Sequence, residues 1–175
     1  VHFDTRRSHS PLHEYLRLSR GVPRPRDGYF LRAESFFNVA THIEQLDEEW
    51  APEPKVIEAY GGRSLHEQSH GESFMALLLQ RFSGRSLFIL DEPEAALSPT
   101  RQMALLSRMH QLVDEGSQFV IATHSPLVMA YPEATIFALG EEGIRQIDYE
   151  ETEHFQITRR FLNDPQRMLR DLLDS

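Results

Sequence analysis

The apolar residues of the chain change their spacing several times, and this spacing predicts alternating helices and strands. Two short continuous runs, 87–90 and 119–122, are typical of strands buried on both faces of a parallel sheet. Helical spacing predicts one helix over 74–82 and another from Pro99 to about Val113. A strand, a helix and a strand in this order form a βαβ unit, so the pattern predicts an α/β fold.

Shorter patterns predict the elements on either side of this unit. They are a strand over 28–34, a helix over 36–50, a short helix from Pro126, a hairpin over 135–148 and two polar helices over 151–173. Residues 1–27 mix Arg, His, Ser and Pro, and we expect them to be mobile around one short helix near Leu16. Because no linker divides the chain, we expect a single domain over 1–175.

Composition and charge restrict the classes of protein. The chain has 18 Lys and Arg against 27 Asp and Glu, a formal charge of −9, which argues against a globally basic nucleic-acid-binding protein. The absence of Cys excludes a disulfide scaffold, thiol catalysis and Cys-ligated zinc. The longest apolar run, 74–79, is far shorter than the roughly 20 residues of a membrane span, so we expect a cytoplasmic protein.

Arginines make the N-terminal part locally basic. They are Arg6, Arg7, Arg17, Arg20, Arg24, Arg26 and Arg32. A solvated surface is the more common role of such residues, and nucleic acid stays open as a partner.

Two adjacent carboxylates, Asp91 and Glu92, directly follow the strand over 87–90. Ligands of open α/β sheets bind at the carboxyl ends of strands. Neighbouring strand residues point in opposite directions, so the two acids can serve different roles. The residues alone leave two interpretations open. One is an acidic turn, and the other is a site in which Asp91 holds Mg²⁺ while Glu92 orients and deprotonates a water.

Two further segments carry polar residues where ligands commonly bind. Ser69 and Glu72 precede the 74–82 helix with the spacing of a capping box, which needs no ligand. The same helix N-terminus, preceded by Gly71, also suits a phosphate because its backbone amides are exposed. His124 ends the second apolar strand and is expected beside the same crevice as Asp91.

In this order and at these spacings, the segments over about 60–139 resemble the ABC-type ATPases, a family of P-loop NTPases. The segment 68–72 is similar to the family's signature motif, with Ser69 and Gly71 in place. His70 stands where the family usually has Gly. Glu72 stands where transporters usually have Gln, and Glu is more typical of the SMC and RecF branch and of small bacterial predicted ATPases.

The remaining motifs of the resemblance follow in the family's order. Residues 86–91 resemble the Walker B strand, and Glu92 resembles the catalytic glutamate. Residues 96–99 resemble the D-loop, with Ser98 in place of the more common Asp. His124 matches the switch histidine, and Glu34 stands near the position of the Q-loop glutamine.

The resemblance implies a mostly parallel P-loop NTPase-like sheet flanked by helices, and a protein that binds and hydrolyses ATP with Mg²⁺. It implies that Asp91 holds Mg²⁺ through water, with Glu34 as a second candidate, while Glu92 is the base and His124 contacts the γ-phosphate. Other residues would act across a dimer with a second copy or a partner ATPase subunit. These are Ser69, His70, Gly71 and Glu72 of the signature and Ala96, Leu97 and Ser98 of the D-loop.

The family's Walker A loop is missing from these residues. Such an ATPase needs a Gly-rich loop ending in Lys-Ser or Lys-Thr, and the single lysine, Lys55, follows no such loop. In the family this loop precedes every motif found here. We therefore expect an ATPase truncated at its N-terminus, inactive alone, with an uncovered sheet edge or face that self-association would bury.

Two other functions stay open. The chain is either a non-catalytic dimerisation or regulatory module, or the nucleotide-binding subunit of a transporter, which Glu72 and the irregular D-loop disfavour. Gene context distinguishes them. An upstream Gly-Lys-Ser/Thr codon run favours the ATPase, and a neighbouring permease gene favours the transporter.

Overall fold

A computed structural model describes residues 14–22, 24–32 and 70–174, apart from the side chain of His70. Two one-turn 3₁₀ helices, Pro93–Ala96 and Tyr149–Glu151, lie among the longer elements. Those elements are β1 (Asp27–Arg32), α1 (His70–Gln80), β2 (Ser86–Asp91), α2 (Pro99–Asp114), β3 (Gln118–Ala122), α3 (Pro126–Met129), β4 (Ile136–Gly140), β5 (Gly143–Ile147), α4 (Glu153–Asn163) and α5 (Pro165–Leu173).

The strands β1, β2 and β3 form a parallel sheet in that order. Arg32 pairs with Asp91, and Asp91 with Ala122, so the carboxyl ends of the three strands are level. The unit β2–α2–β3 confirms the predicted βαβ arrangement, and with it the α/β class. A separate antiparallel hairpin, β4–β5, follows as predicted.

The hydrophobic core lies on one face of this sheet, beneath α1 and α2. Phe88 of β2 is fully buried, and its ring stacks on Phe82 at a centroid distance of 4.2 Å and on Phe119 at 4.7 Å. The other buried apolar side chains are Leu31, Phe74, Leu77, Leu78, Leu90, Leu97, Leu105, Met109, Leu112 and Val128. Packing in this core fixes the position of β2, and therefore the backbone position of Asp91 and Glu92 at its end.

The predicted burial of both sheet faces is wrong for the residues that the structure describes. Phe30, Ile89 and Val120 pair across the three strands and are 69%, 39% and 52% exposed. Alternation along a strand sends these side chains away from the face that α1 and α2 cover. Within the described residues, α1 and α2 cover one face of the sheet, although β2 and β3 are continuous apolar runs.

Local signals set several helix boundaries. Ser98 caps α2, since its hydroxyl accepts a hydrogen bond from the amide of Arg101. Ser125 caps α3 in the same way through the amides of Leu127 and Val128. The short helix expected near Leu16 is described only in part: Glu14 lies in a 3₁₀ turn, and residues 16–22 are exposed and not helical. No helix in the described ranges is long and apolar enough to cross a membrane.

Candidate functional site

The level strand ends bring three of the predicted site residues together. Asp91 ends β2, Glu92 follows it, and His124 lies two residues after β3. The Nε2 atom of His124 is 3.5 Å from Oε1 of Glu92. All three side chains therefore lie along one edge of the sheet, where ligands of α/β proteins bind.

The backbone of Glu92 takes a left-handed conformation that few non-glycine residues adopt. Its φ is 49° and its ψ is 52°. Its amide donates to the carbonyl of Ala122 at 2.9 Å, and the buried Pro93 fixes the next residue. Such a conformation costs about 1–3 kcal/mol and persists where the surroundings enforce it, often at functional sites. Here it holds the Glu92 carboxylate beside the end of β3.

Asp91 forms an ion pair with Arg32 across the β1–β2 register. Nε of Arg32 lies 2.6 Å from Oδ2 of Asp91. No group of three or more acidic or histidine side chains forms a metal cage within the described part of the chain. Mg²⁺ at a nucleotide site needs only one or two carboxylates beside the phosphates and water, so the hard oxygen donor of Asp91 fits this ion. Glu34 lies outside the described residues.

Glu94 is a site residue to which the sequence analysis gave no role. Its Oε1 accepts a hydrogen bond from the backbone amide of His124 at 2.6 Å. Its other carboxylate oxygen is buried without a hydrogen-bond partner in the structure described. The run of three acids within 91–94 was the available signal. Only the fold shows that the third binds the backbone of residues 123–126, called the switch segment below because His124 resembles the switch histidine.

His124 also contacts a residue of the C-terminal helices, which the sequence did not predict. Nε2 of His154, near the start of α4, is 3.1 Å from Nδ1 of His124. His154 lies 30 residues further along the chain and belongs to no motif, so no local signal predicted this pair.

The segments that resemble the signature and the D-loop also meet. A Cβ atom added to Gly71 would lie 2.6 Å from the carbonyl oxygen of Ala96, so only glycine fits against the D-loop backbone. Arg101 of α2 binds the Glu72 carboxylate at 3.0 Å. Ser69 and the side chain of His70 lie outside the described residues.

We expect Gly71→Ala to destabilise the chain by about 1–3 kcal/mol, because the added methyl group must displace the Ala96 backbone. Urea unfolding measures this free energy. Gly28→Ala is the control, since a Cβ there would meet no atom within 4 Å. Equal midpoints for the two variants would show that the D-loop does not pack closely on Gly71.

Gln102 connects the D-loop to the switch segment. This buried side chain donates to the carbonyl of Leu97 at 3.1 Å and accepts from the hydroxyl of Ser125 at 2.6 Å. Ser125 follows His124 directly. Two buried hydrogen bonds therefore connect the Leu97 backbone to the residue next to His124.

Comparison with known proteins adds a family to this geometry. The family model described as "AAA domain, putative AbiEii toxin, Type IV TA system" matches residues 13–130. The chain is 36% identical over 66 residues to "UvrABC system protein A" of Paracoccus denitrificans, covering 38% of this chain and 59% of the relative. Among solved structures it is similar to UvrA2 from Deinococcus radiodurans, with 23% identity and a TM-score of 0.32 over 51% of this chain and 13% of that one.

The family match covers more than half of the chain. It contains Asp91, Glu92 and His124, the polar residues that the fold brings together at the strand ends. The chain spans 59% of the curated relative's length, so that match is a partial one. The sequence of this chain and its parallel α/β sheet agree with the family match. The chain therefore belongs to this AAA-domain family, within the ABC/AAA-type P-loop ATPases.

Proposed function

We propose that the chain is the catalytic half of an ABC/AAA-type ATPase domain. The complete domain would hydrolyse MgATP in the cytoplasm as a dimer or with a partner ATPase subunit. The observation that carries this proposal is the convergence of Asp91, Glu92 and His124 at level strand ends. An acidic turn alone would require neither the left-handed Glu92 nor a histidine beside its carboxylate.

Each of these residues has a role in the proposed reaction. Asp91 would hold Mg²⁺, which offsets the charge of the phosphates when bound. Glu92 orients the attacking water and accepts its proton as the water attacks the γ-phosphorus in line. His124 donates a hydrogen bond to a γ-phosphate oxygen. Glu94 fixes the His124 backbone, so the ring approaches the phosphate from a constant position.

The signature and D-loop are proposed to act on nucleotide held by the other subunit. Gly71 packs on Ala96, and Glu72 is tied to α2 through Arg101, so the two segments would move as one unit. The N-terminus of α1 would offer its backbone amides and the positive end of its dipole to that phosphate. Ser69 and His70 would complete this surface, and Leu97 and Ser98 would lie along the dimer contact.

The phosphate cradle is the part that these 175 residues do not supply, because they contain no Gly-rich loop followed by Lys-Ser or Lys-Thr. We propose that this chain alone binds MgATP weakly and does not turn it over. Phosphate release with Mg²⁺ and with EDTA tests this for the chain and for a longer chain extended upstream through the coding sequence. Only the longer chain should release phosphate. Mg²⁺-dependent release by the shorter chain, abolished by Glu92→Gln, would contradict the proposal.

Arg32 competes with Mg²⁺ for Asp91 in this account. The pair is partly exposed, so it contributes at most about 1 kcal/mol. We expect Arg32→Gln to lower the Mg²⁺ concentration for half-maximal hydrolysis by the longer chain by up to about fivefold. Arg26→Gln, an exposed arginine just before β1, is the control. An unchanged or higher Mg²⁺ requirement would show that Arg32 does not oppose the metal.

A non-catalytic dimerisation module is the second candidate, and the missing lysine loop favours it. In that case the longer chain would also fail to hydrolyse ATP, or no lysine loop would be encoded upstream. Sedimentation of the chain with and without ATP then separates the candidates. An ATP-independent dimer supports the module, whereas a dimer that requires ATP and the longer chain supports the ATPase.

A further inference from the structure

The pair His124 and His154 has a chemical asymmetry. Two imidazole nitrogens 3.1 Å apart can share only one proton, so one of them donates and the other accepts. On its other side, His124 faces the carboxylate of Glu92 at 3.5 Å, and an ionised carboxylate only accepts. One arrangement satisfies both contacts when the rings are neutral. His124 carries its proton on Nε2, toward Glu92, and its bare Nδ1 accepts from Nε2 of His154.

The opposite arrangement is unfavourable. A proton on Nδ1 of His124 would place the Nε2 lone pair against the Glu92 carboxylate. Which ring nitrogen of a histidine carries the proton is commonly set by the hydrogen bond that the other nitrogen makes. Here His154 supplies that hydrogen bond.

The helix that carries His154 is fixed to the switch segment by contacts that do not involve either imidazole. The buried Thr152 caps α4 through the amide of Phe155 and donates to the carbonyl of Tyr149 at 2.7 Å. The hydroxyl of Tyr149 in turn donates to the carbonyl of Pro126, two residues after His124, at 2.9 Å. The two backbone segments that carry the histidines are therefore joined by contacts independent of the rings.

We propose that His154 is a positioning residue that holds His124 in the tautomer with the proton on Nε2, the form that donates toward the phosphate site. The consequence for hydrolysis rests on the proposed function, whereas the tautomer itself does not. The C-terminal helix pair α4–α5 thereby acquires a role in the site: a displacement of α4 removes the proton donor that fixes the switch histidine.

Nitrogen-15 NMR of the full chain at alkaline pH, where histidine rings are neutral, tests the proposal without nucleotide. The chain has nine histidines, so His124→Gln identifies the signals of His124. We expect its two ring nitrogens to show the separated shifts of one fixed tautomer. In His154→Leu the two shifts should move toward each other as the tautomers exchange. In His154→Gln the separation should be retained, because the amide still donates to Nδ1.

The control is Gln156→Leu, an exposed position on the same helix, which should leave the His124 shifts unchanged. In the longer chain, His154→Leu should lower kcat several-fold at constant KM for ATP, and His154→Gln should restore it. Unchanged His124 shifts in a folded His154→Leu protein would overturn the proposal, whatever the activity. If the shifts respond as expected but the longer chain hydrolyses no ATP, the proposed function fails and the positioning role stands.

Discussion

Replacing Glu92 by Gln is expected to reduce ATP hydrolysis by the longer chain by about 100- to 10,000-fold, the usual contribution of a general base. Gln keeps the size of the side chain and its contact distance from His124, but it cannot accept the proton of the attacking water. ATP binding should persist, because Asp91 is unchanged. Steady-state phosphate release and ATP-analogue fluorescence on the same preparation measure the two quantities.

The matched control is Glu141→Gln, an exposed glutamate in the β4–β5 turn, which should hydrolyse ATP at the wild-type rate. If Glu92→Gln kept at least a third of wild-type kcat, Glu92 would not be the base. Asp91 and Glu92 would then form an acidic turn at the end of β2 with a structural role only.

Gln102→Leu is expected to cost about 2–4 kcal/mol of unfolding free energy. Its buried side chain satisfies the Leu97 carbonyl and the Ser125 hydroxyl, and each polar group left without a partner costs about 1–3 kcal/mol. For a chain of this length this corresponds to a fall in Tm of about 4–16 °C. Thermal unfolding followed by circular dichroism measures it.

Gln111→Leu provides the comparison, because this exposed glutamine of the same helix makes only a solvent-exposed side-chain hydrogen bond, which it accepts from Arg108. It should change stability by less than about 0.5 kcal/mol. A double-mutant cycle with Ser125→Ala should show coupling between Gln102 and Ser125. Independent, additive effects would mean that the D-loop and switch segment are not connected through this side chain.

The elements around the site were predictable because strong local signals coincide there. Apolar runs predicted β2 and β3, Ser-Pro pairs predicted the starts of α2 and α3, and Pro165 predicted the division between α4 and α5. The acids at the end of β2 could be placed in a crevice because strand ends of a parallel sheet are level. These are local features, and a single sequence reports them directly.

The contacts that organise the site could not be predicted, because they join residues distant in the chain. Arg32 and Asp91 are 59 residues apart, and Gln102 and Ser125 are 23 apart. Glu94 carries no sequence signal for a role of its own, although its carboxylate binds the His124 backbone. The one-sided burial of β2 was missed for the same reason. An apolar run is compatible with either one or two covered faces, and only the positions of α1 and α2 decide.

Titration of a fluorescent ATP analogue with Mg²⁺ tests the central claim most directly, with the 175-residue chain and the longer chain side by side. We expect tight, Mg²⁺-dependent binding by the longer chain only, and its loss in Asp91→Asn. That result would establish that Asp91, Glu92 and His124 act on nucleotide held by a phosphate loop outside these residues. Equally tight binding by the 175-residue chain would contradict the account, because a phosphate-binding loop would then lie within these 175 residues.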